Sequence, residues 1–170
     1  MHDSPLMKAP LPVRNAMEVA HVPSEIAAVV DAHVHVFPDP IFKAVWGWFE
    51  EYGWPIRYQM KSHDILDFLF SKGIGHVVAL QYAHKPGIAR DLNRYMDHQC
   101  KAFPGRVTGL ATVFPGEEGA VDMIREGLSL GLKGVKLHAH VQCFDMNAAY
   151  MDVIYDICSV EKKPLVIHAG

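Results

Sequence analysis

A chain of 170 residues, half of them hydrophobic and with a formal net charge of -3, has the composition of a soluble globular domain with room for one substantial core. Slight acidity without any Lys/Arg run excludes a nucleic-acid surface, and no stretch approaches the roughly 18 to 20 apolar residues that span a bilayer. Cys100, Cys143 and Cys158 are too scattered for a disulfide framework, and the start Met1-His2-Asp3-Ser4-Pro5 lacks the pattern of a secretory signal, so a cytoplasmic location is expected.

Residues 1–28 contain Pro5, Pro10, Pro12 and Pro23 with no steady period and read as an extended arm. Residues 29–36 are β-branched enough for a strand, whose side chains alternate faces. Asp31, His33 and His35 then share one face, opposite Val30, Ala32, Val34 and Val36. Two imidazoles two residues apart on a strand can share one metal ion; the competing reading is a hydrogen-bonded polar cluster. The segment from Phe37 to Ser62 far exceeds the usual 2–6 residues of a strand-to-helix connection, taken here as about residues 38–62 of inserted chain. Its Trp46, Trp48 and Trp54, with Phe49, Tyr52 and Tyr58, either wall a substrate pocket or form a satellite core or subunit contact. Arg57 in the same segment is a candidate for gripping a substrate carboxylate bidentately.

Beyond it, strand and helix alternate. Ile65, Phe68 and Leu69 mark a helix, residues 75–82 a strand, and Leu92, Tyr95, Met96, Gln99 and Phe103 a second helix. Residues 106–113 form the next strand, and Val121, Ile124 and Leu128 mark a third helix. In the strand at 133–138, Lys136 and His138, followed by His140, face opposite to Val135, Leu137 and Ala139. A fourth helix carries Tyr150, Val153, Ile154, Ile157 and Cys158, and the strand at 164–168 ends on His168.

Such alternation implies parallel strands with right-handed crossovers. A doubly wound sheet would bury the polar faces of the first and fourth strands against helices. A (β/α)8 barrel instead turns them inward, towards a site at the strands' C-terminal ends, and is the expected fold. Lys136 either pairs with Asp31 inside that barrel or takes part in chemistry, and His138, nearer the mouth, is placed to touch substrate.

Three motifs carry a family resemblance: Asp31-Ala-His-Val-His35, Gly131-Leu-Lys-Gly-Val-Lys-Leu-His138 followed by Gln142 and Phe144, and Lys163-Pro-Leu-Val-Ile-His-Ala-Gly170. In this order and spacing, from about Val29 to Gly170, the chain resembles the amidohydrolase superfamily. More narrowly it is similar to the amidohydrolase-related (amidohydrolase 2) branch, which includes the aminocarboxymuconate-semialdehyde decarboxylase type of enzyme. The resemblance implies a TIM (β/α)8 barrel of the metal-dependent hydrolase type, with this chain holding about the first five strands. It implies a divalent metal, zinc foremost, on His33, His35 and His168, an open catalytic arrangement rather than a closed structural one. Lys136 and His138 become the candidate catalytic residues, and a further His and an Asp are expected after later strands. Some superfamily members carbamylate a lysine on the fourth strand, a role ranked below ion pairing or substrate contact for Lys136.

The function so implied is metal-dependent hydrolysis, with metal-activated water attacking an amide, ester or lactone carbonyl of a small-molecule substrate. Non-oxidative decarboxylation of an unsaturated or aromatic acid is the alternative on the same site, and an incomplete, non-catalytic fragment is the alternative of another class. Because such barrels take about 250 residues, the 170 residues are expected to be the first part of a larger protein or to need a second chain, and to be inactive alone. A homo-oligomer is compatible with these features; nucleic acid and membrane partners are not expected.

Overall fold

The apolar β-branched runs become five parallel strands in the computed structural model, which describes residues 20–169. They are β1 (Val30–His35), β2 (His76–Leu80), β3 (Val107–Gly109), β4 (Val135–His138) and β5 (Leu165–His168). Six α-helices connect them: α1 (Asp39–Tyr52), α2 (Ser62–Ser71), α3 (Ala89–Ala102), α4 (Ala120–Ser129), the single turn α5 (Ala139–Gln142) and α6 (Asp152–Val160). Most of the expected arm, residues 1–19, lies outside the described residues. No helix among the described residues is long and apolar enough to cross a membrane.

β1 pairs with β2, β2 with β3, and β4 with β5, all parallel. An isolated parallel bridge from Ala111 to Val135 joins the two groups, with Ala111 N–H donating to Gly134 O at 2.8 Å and Lys136 N–H to Ala111 O at 2.7 Å. Spatial order therefore follows sequence order. A doubly wound sheet reverses its order at a switch point; a barrel does not. Curvature makes the same distinction. In a flat sheet, four steps of about 4.8 Å would hold β1 and β5 about 19 Å apart. Yet the rings of His33 on β1 and His168 on β5 lie 5.7 Å apart, centroid to centroid. The sheet is curled into a barrel arc, open between β1 and β5 among the described residues.

Helices coat the convex side. One core joins Val113, Val135 and Leu137 to Ile124, Ile154 and Ile157; a second joins Val34, Val36, Val77 and Ala79 to Leu66 and Met96. In α3 the expected stripe is buried at Leu92, Met96 and Gln99. That helix presses so closely on β3 that a Cβ at Gly109 would sit 2.5 Å from Met96 Cγ and 2.7 Å from Cys100 Sγ. Glycine is required there for packing.

Three details depart from the sequence reading. The third strand's regular ladder ends at Gly109, although residues 110–113 stay buried: Leu110 and Ala111 keep backbone bonds to Ala79 and Gly134, and side chains take over at Thr112 and Val113. Val30 and Ala32, expected against helices, are exposed, since β1 has a described strand neighbour on one edge alone. In α6, Val153 is exposed while Ile154, Ile157 and Cys158 are buried.

Candidate metal centre

Four histidines meet at the C-terminal ends of the strands, the end where barrels of this kind place chemistry. His35 closes β1, His138 closes β4 and His168 closes β5, while His33 precedes His35 by the two residues that return a strand to the same face. The register of β1 on β2 slips by one residue between Asp31 and Val34. This bulge re-aims the chain just where the pair begins, a common device beside sites. The His33 and His35 rings are tilted at 41° with centroids 5.0 Å apart, and their Nε2 atoms approach to 3.0 Å. One ligand atom from each of His33, His35 and His168 lies within 4.8 Å of the others.

Nitrogens about 2.1 Å from one ion at ordinary ligand angles lie about 3.0–3.4 Å apart, so loading would draw the widest pair of this trio together by up to about 1.8 Å, a shift that side-chain rotation can supply. The donor chemistry fits as well. Burial, then the neighbouring His33, Lys136, His138 and His168, push His35 down to about 3, so its imidazole is neutral with a lone pair free for a cation. His33 is lowered by burial first, then by Lys136 and His168, against a small opposing effect of Asp31. The three imidazoles could thus hold one divalent metal.

Lys136 lies beneath this cluster. Its side chain is fully buried and its Nζ has no hydrogen-bond partner among the described residues. The Lys136–Asp31 pair, one of the two roles open to Lys136 from sequence, is absent among the described residues. Asp31 sits before the bulge and its carboxylate folds back to accept the His33 backbone N–H at 3.1 Å. Desolvation lowers the Lys136 ammonium to about 8. Its charge in turn helps to lower His33, His35 and His138.

His138 stands outside the trio. Its ring stacks on His168 at 4.3 Å and 7°, and Tyr82 meets it edge-on at 4.9 Å. Burial, followed by His168, Lys136 and His140, lowers it to about 4. It caps α5, where its Nδ1 accepts the Val141 backbone N–H at 3.4 Å, and its own N–H donates to Gln142 Oε1 at 2.8 Å. The strand ends at His138, as expected, and the chain turns directly into α5, which carries His140 to an exposed position off the strand's inner face.

The aromatic insertion divides. Trp46 stacks on Phe42, which meets Phe37, and Phe37 contacts both His35 and Tyr82. Trp46 thus connects to the site through two rings. Trp48 and Trp54 group instead with Phe49 and Tyr52, are 50% and 64% exposed, and make no ring contact with the histidines among the described residues. Arg57 lies between α1 and α2 with its guanidinium 5.1 Å from the Tyr58 ring centre.

Sequence reasoning assigned no role to Tyr82, Asn93, Thr112 or Gln142, yet they build the mouth. Asn93 Nδ2 donates to Thr112 O and Thr112 N–H to Asn93 Oδ1, while Thr112 Oγ1 donates to Lys136 O. Gln142 Nε2 donates to Ala83 O at 2.8 Å and Val113 O at 2.9 Å. In sequence, Gln142 is visible only as a member of the second motif, four residues after His138, without a role.

The family model for amidohydrolases matches residues 30–170. This chain belongs to the amidohydrolase family. Solved structures agree in fold. A 5-carboxyvanillate decarboxylase from Novosphingobium aromaticivorans, complexed with manganese and 4-hydroxy-3-methoxy-5-nitrobenzoic acid, superposes with a TM-score of 0.69 at 18% identity, over 90% of this chain and 54% of that one. An amidohydrolase II gives 0.67 at 17% identity, over 83% and 50%. The 5-carboxyvanillate decarboxylase of Sphingomonas paucimobilis gives 0.63 at 17%, over 83% and 51%. This amidohydrolase chain spans about half the length of these structures. Among curated proteins none matches it significantly.

Depressed histidines make the fold acid-sensitive. In the metal-free protein His35 and His138 stay neutral until about pH 3 and 4. In the unfolded chain they take up protons near their ordinary value of about 6.5. The unfolded state then binds more protons between those limits, and stability is lost as pH falls below about 6.5. Urea midpoints measured between pH 7 and 4 should drop steadily, and His35→Gln should flatten the slope. An unchanged slope in that variant would show that His35 is not the buried neutral group.

Proposed function

We propose that this amidohydrolase-family protein is a metal-dependent enzyme that removes a carboxyl group, without oxidation, from a small unsaturated or aromatic acid. The observation that carries this reading is the charge character of the described site. A buried lysine without an anion stands under three ligand-type imidazoles and a fourth, non-ligand histidine. Such an arrangement is complementary to an anionic substrate, because an uncompensated buried cation is favourably met by a carboxylate. Structural neighbours that decarboxylate 5-carboxyvanillate add support at the level of fold.

His33, His35 and His168 would hold the ion, which when bound supplies an electrophile that orients and polarises the substrate's oxygen groups. Zinc or manganese would each suit these imidazole donors, and manganese is the ion in the 5-carboxyvanillate decarboxylase neighbour. Lys136 contributes positive potential from below, His138 a hydrogen bond to a substrate oxygen, and the Phe37, Phe42, Trp46 and Tyr82 rings an apolar flank. Carbon dioxide leaves, and the carbon takes a proton in its place. Arg57 is proposed as a second grip on the substrate's carboxylate, to be tested with Arg57→Ala.

Hydrolysis of an amide, ester or lactone is the second reading, since the same metal motif serves both reactions. A panel of unsaturated and aromatic acids, esters, lactones and amides, run in deuterated water with the manganese- and zinc-loaded full chain, decides between them. Carbon dioxide release with deuterium at the vacated carbon is the expected result. Turnover of the esters, lactones or amides alone would replace decarboxylation by hydrolysis.

A further inference from the structure

Gln142 lies 2% exposed at the end of α5 and spends its whole carboxamide on three strand ends. Its two N–H groups hold the carbonyls of Ala83 and Val113, after β2 and β3, and its oxygen takes the N–H of His138, the last residue of β4. No ladder hydrogen bonds join the strands at this level, since the pairings of β2 with β3 stop at Gly109 and the last bridge to β4 is at Ala111. With Thr112 Oγ1, which accepts the Ala83 N–H and donates to Lys136 O, this carboxamide replaces the missing backbone bonds across three strands. It also seats α5, the turn whose Val141 N–H reaches back to His138 Nδ1.

A backbone N–H can only donate, so the ring nitrogen that meets it must carry the lone pair. Neutral imidazole has one proton, which is then on Nε2. That nitrogen has no protein partner among the described residues, and His138 is outside the ligand trio. We propose that Gln142 is a positioning residue that locks His138 in one tautomer, presenting an Nε2–H donor to a substrate oxygen. The inference rests on the proposed enzymatic reading for the identity of that acceptor, but the lock itself stands on the hydrogen bonds alone. Locked this way, His138 cannot ligate a metal through Nε2 or accept a proton there; it can recognise a carboxylate or carbonyl oxygen.

Nitrogen-15 spectra of the full chain labelled at histidine test it, with His138 assigned through His138→Gln. In the wild type, His138 Nδ1 should resonate at the lone-pair limit and Nε2 at the protonated limit. In Gln142→Ala, and in Val141→Pro, which deletes the donor N–H at an exposed first-turn position, both signals should move towards the averaged values of free histidine. Metal content on the same samples should be unchanged, which separates this lock from the metal centre; a wild type that binds no metal would sink the enzymatic reading without touching the lock. A protonated Nδ1 in the wild type, or wild-type shifts retained in Gln142→Ala, would overturn the proposal. Should Gln142→Ala fail to fold, the wild-type spectrum and Val141→Pro still decide it.

Discussion

The double variant His33→Ala/His35→Ala is expected to lose its metal altogether, from about one equivalent per chain to essentially none, because a single remaining imidazole cannot hold a divalent ion against water. Activity of the completed barrel should fall by at least about a thousandfold, equivalent to about 4 kcal/mol of lost charge stabilisation. The fold should survive, since His33 is exposed and the two rings hydrogen-bond only to each other among the described residues. Metal analysis beside the exposed control His84→Ala gives the comparison. Equal metal in the double variant and the wild type would remove the site. A matching loss with a collapsed thermal transition would make the pair structural.

Lys136→Met should do the opposite to stability and the same to function. A buried ammonium with no partner opposes folding, and methionine keeps most of the stem's volume. The drop from 10.5 to about 8 corresponds to at most about 3.4 kcal/mol, and solvent screening reduces it, so a gain of about 1–3 kcal/mol at pH 7 is expected. The sign in pH follows from proton counting. Between about pH 8 and 10.5 the folded lysine has lost its proton while the unfolded one keeps it. The unfolded state binds more protons there, so wild-type stability rises with pH across that window. Lys136→Met should abolish the rise and also the activity. Urea unfolding of both proteins at pH 7 and pH 10 reads it directly. A variant weaker than wild type at pH 7 would mean that Lys136 has an anionic partner in the folded protein.

A good share of the fold was legible because periodicity reports burial. Stripes such as Leu92, Met96 and Gln99 on α3 face the sheet for the reason they recur at three and four residues. The His33–His35 pair was legible for a similar reason: a strand repeats every two residues. Where local pattern and tertiary setting conflict, the pattern misleads. Val153 has the right spacing for the α6 stripe and is exposed, and Asp31 has the right face for Lys136 but lies on the far side of a bulge. Bulges depend on how two strands settle against each other, and no single strand announces them.

Sequence alone was sufficient for the strand–helix alternation, the inward polar faces of β1 and β4, and the resemblance that the family match agrees with. These are local or near-local properties, set by side-chain period and motif spacing. Only the tertiary structure decided that residues more than 130 positions apart, His33 and His168, come within 5.7 Å. Only it decided that Trp46 joins the rings beside the site while Trp48 and Trp54 stay outside, and that Gln142 binds three strand ends together. Each depends on the curl of the sheet. That curl arises from strand twist summed across neighbours, and so it exists only once the strands are paired.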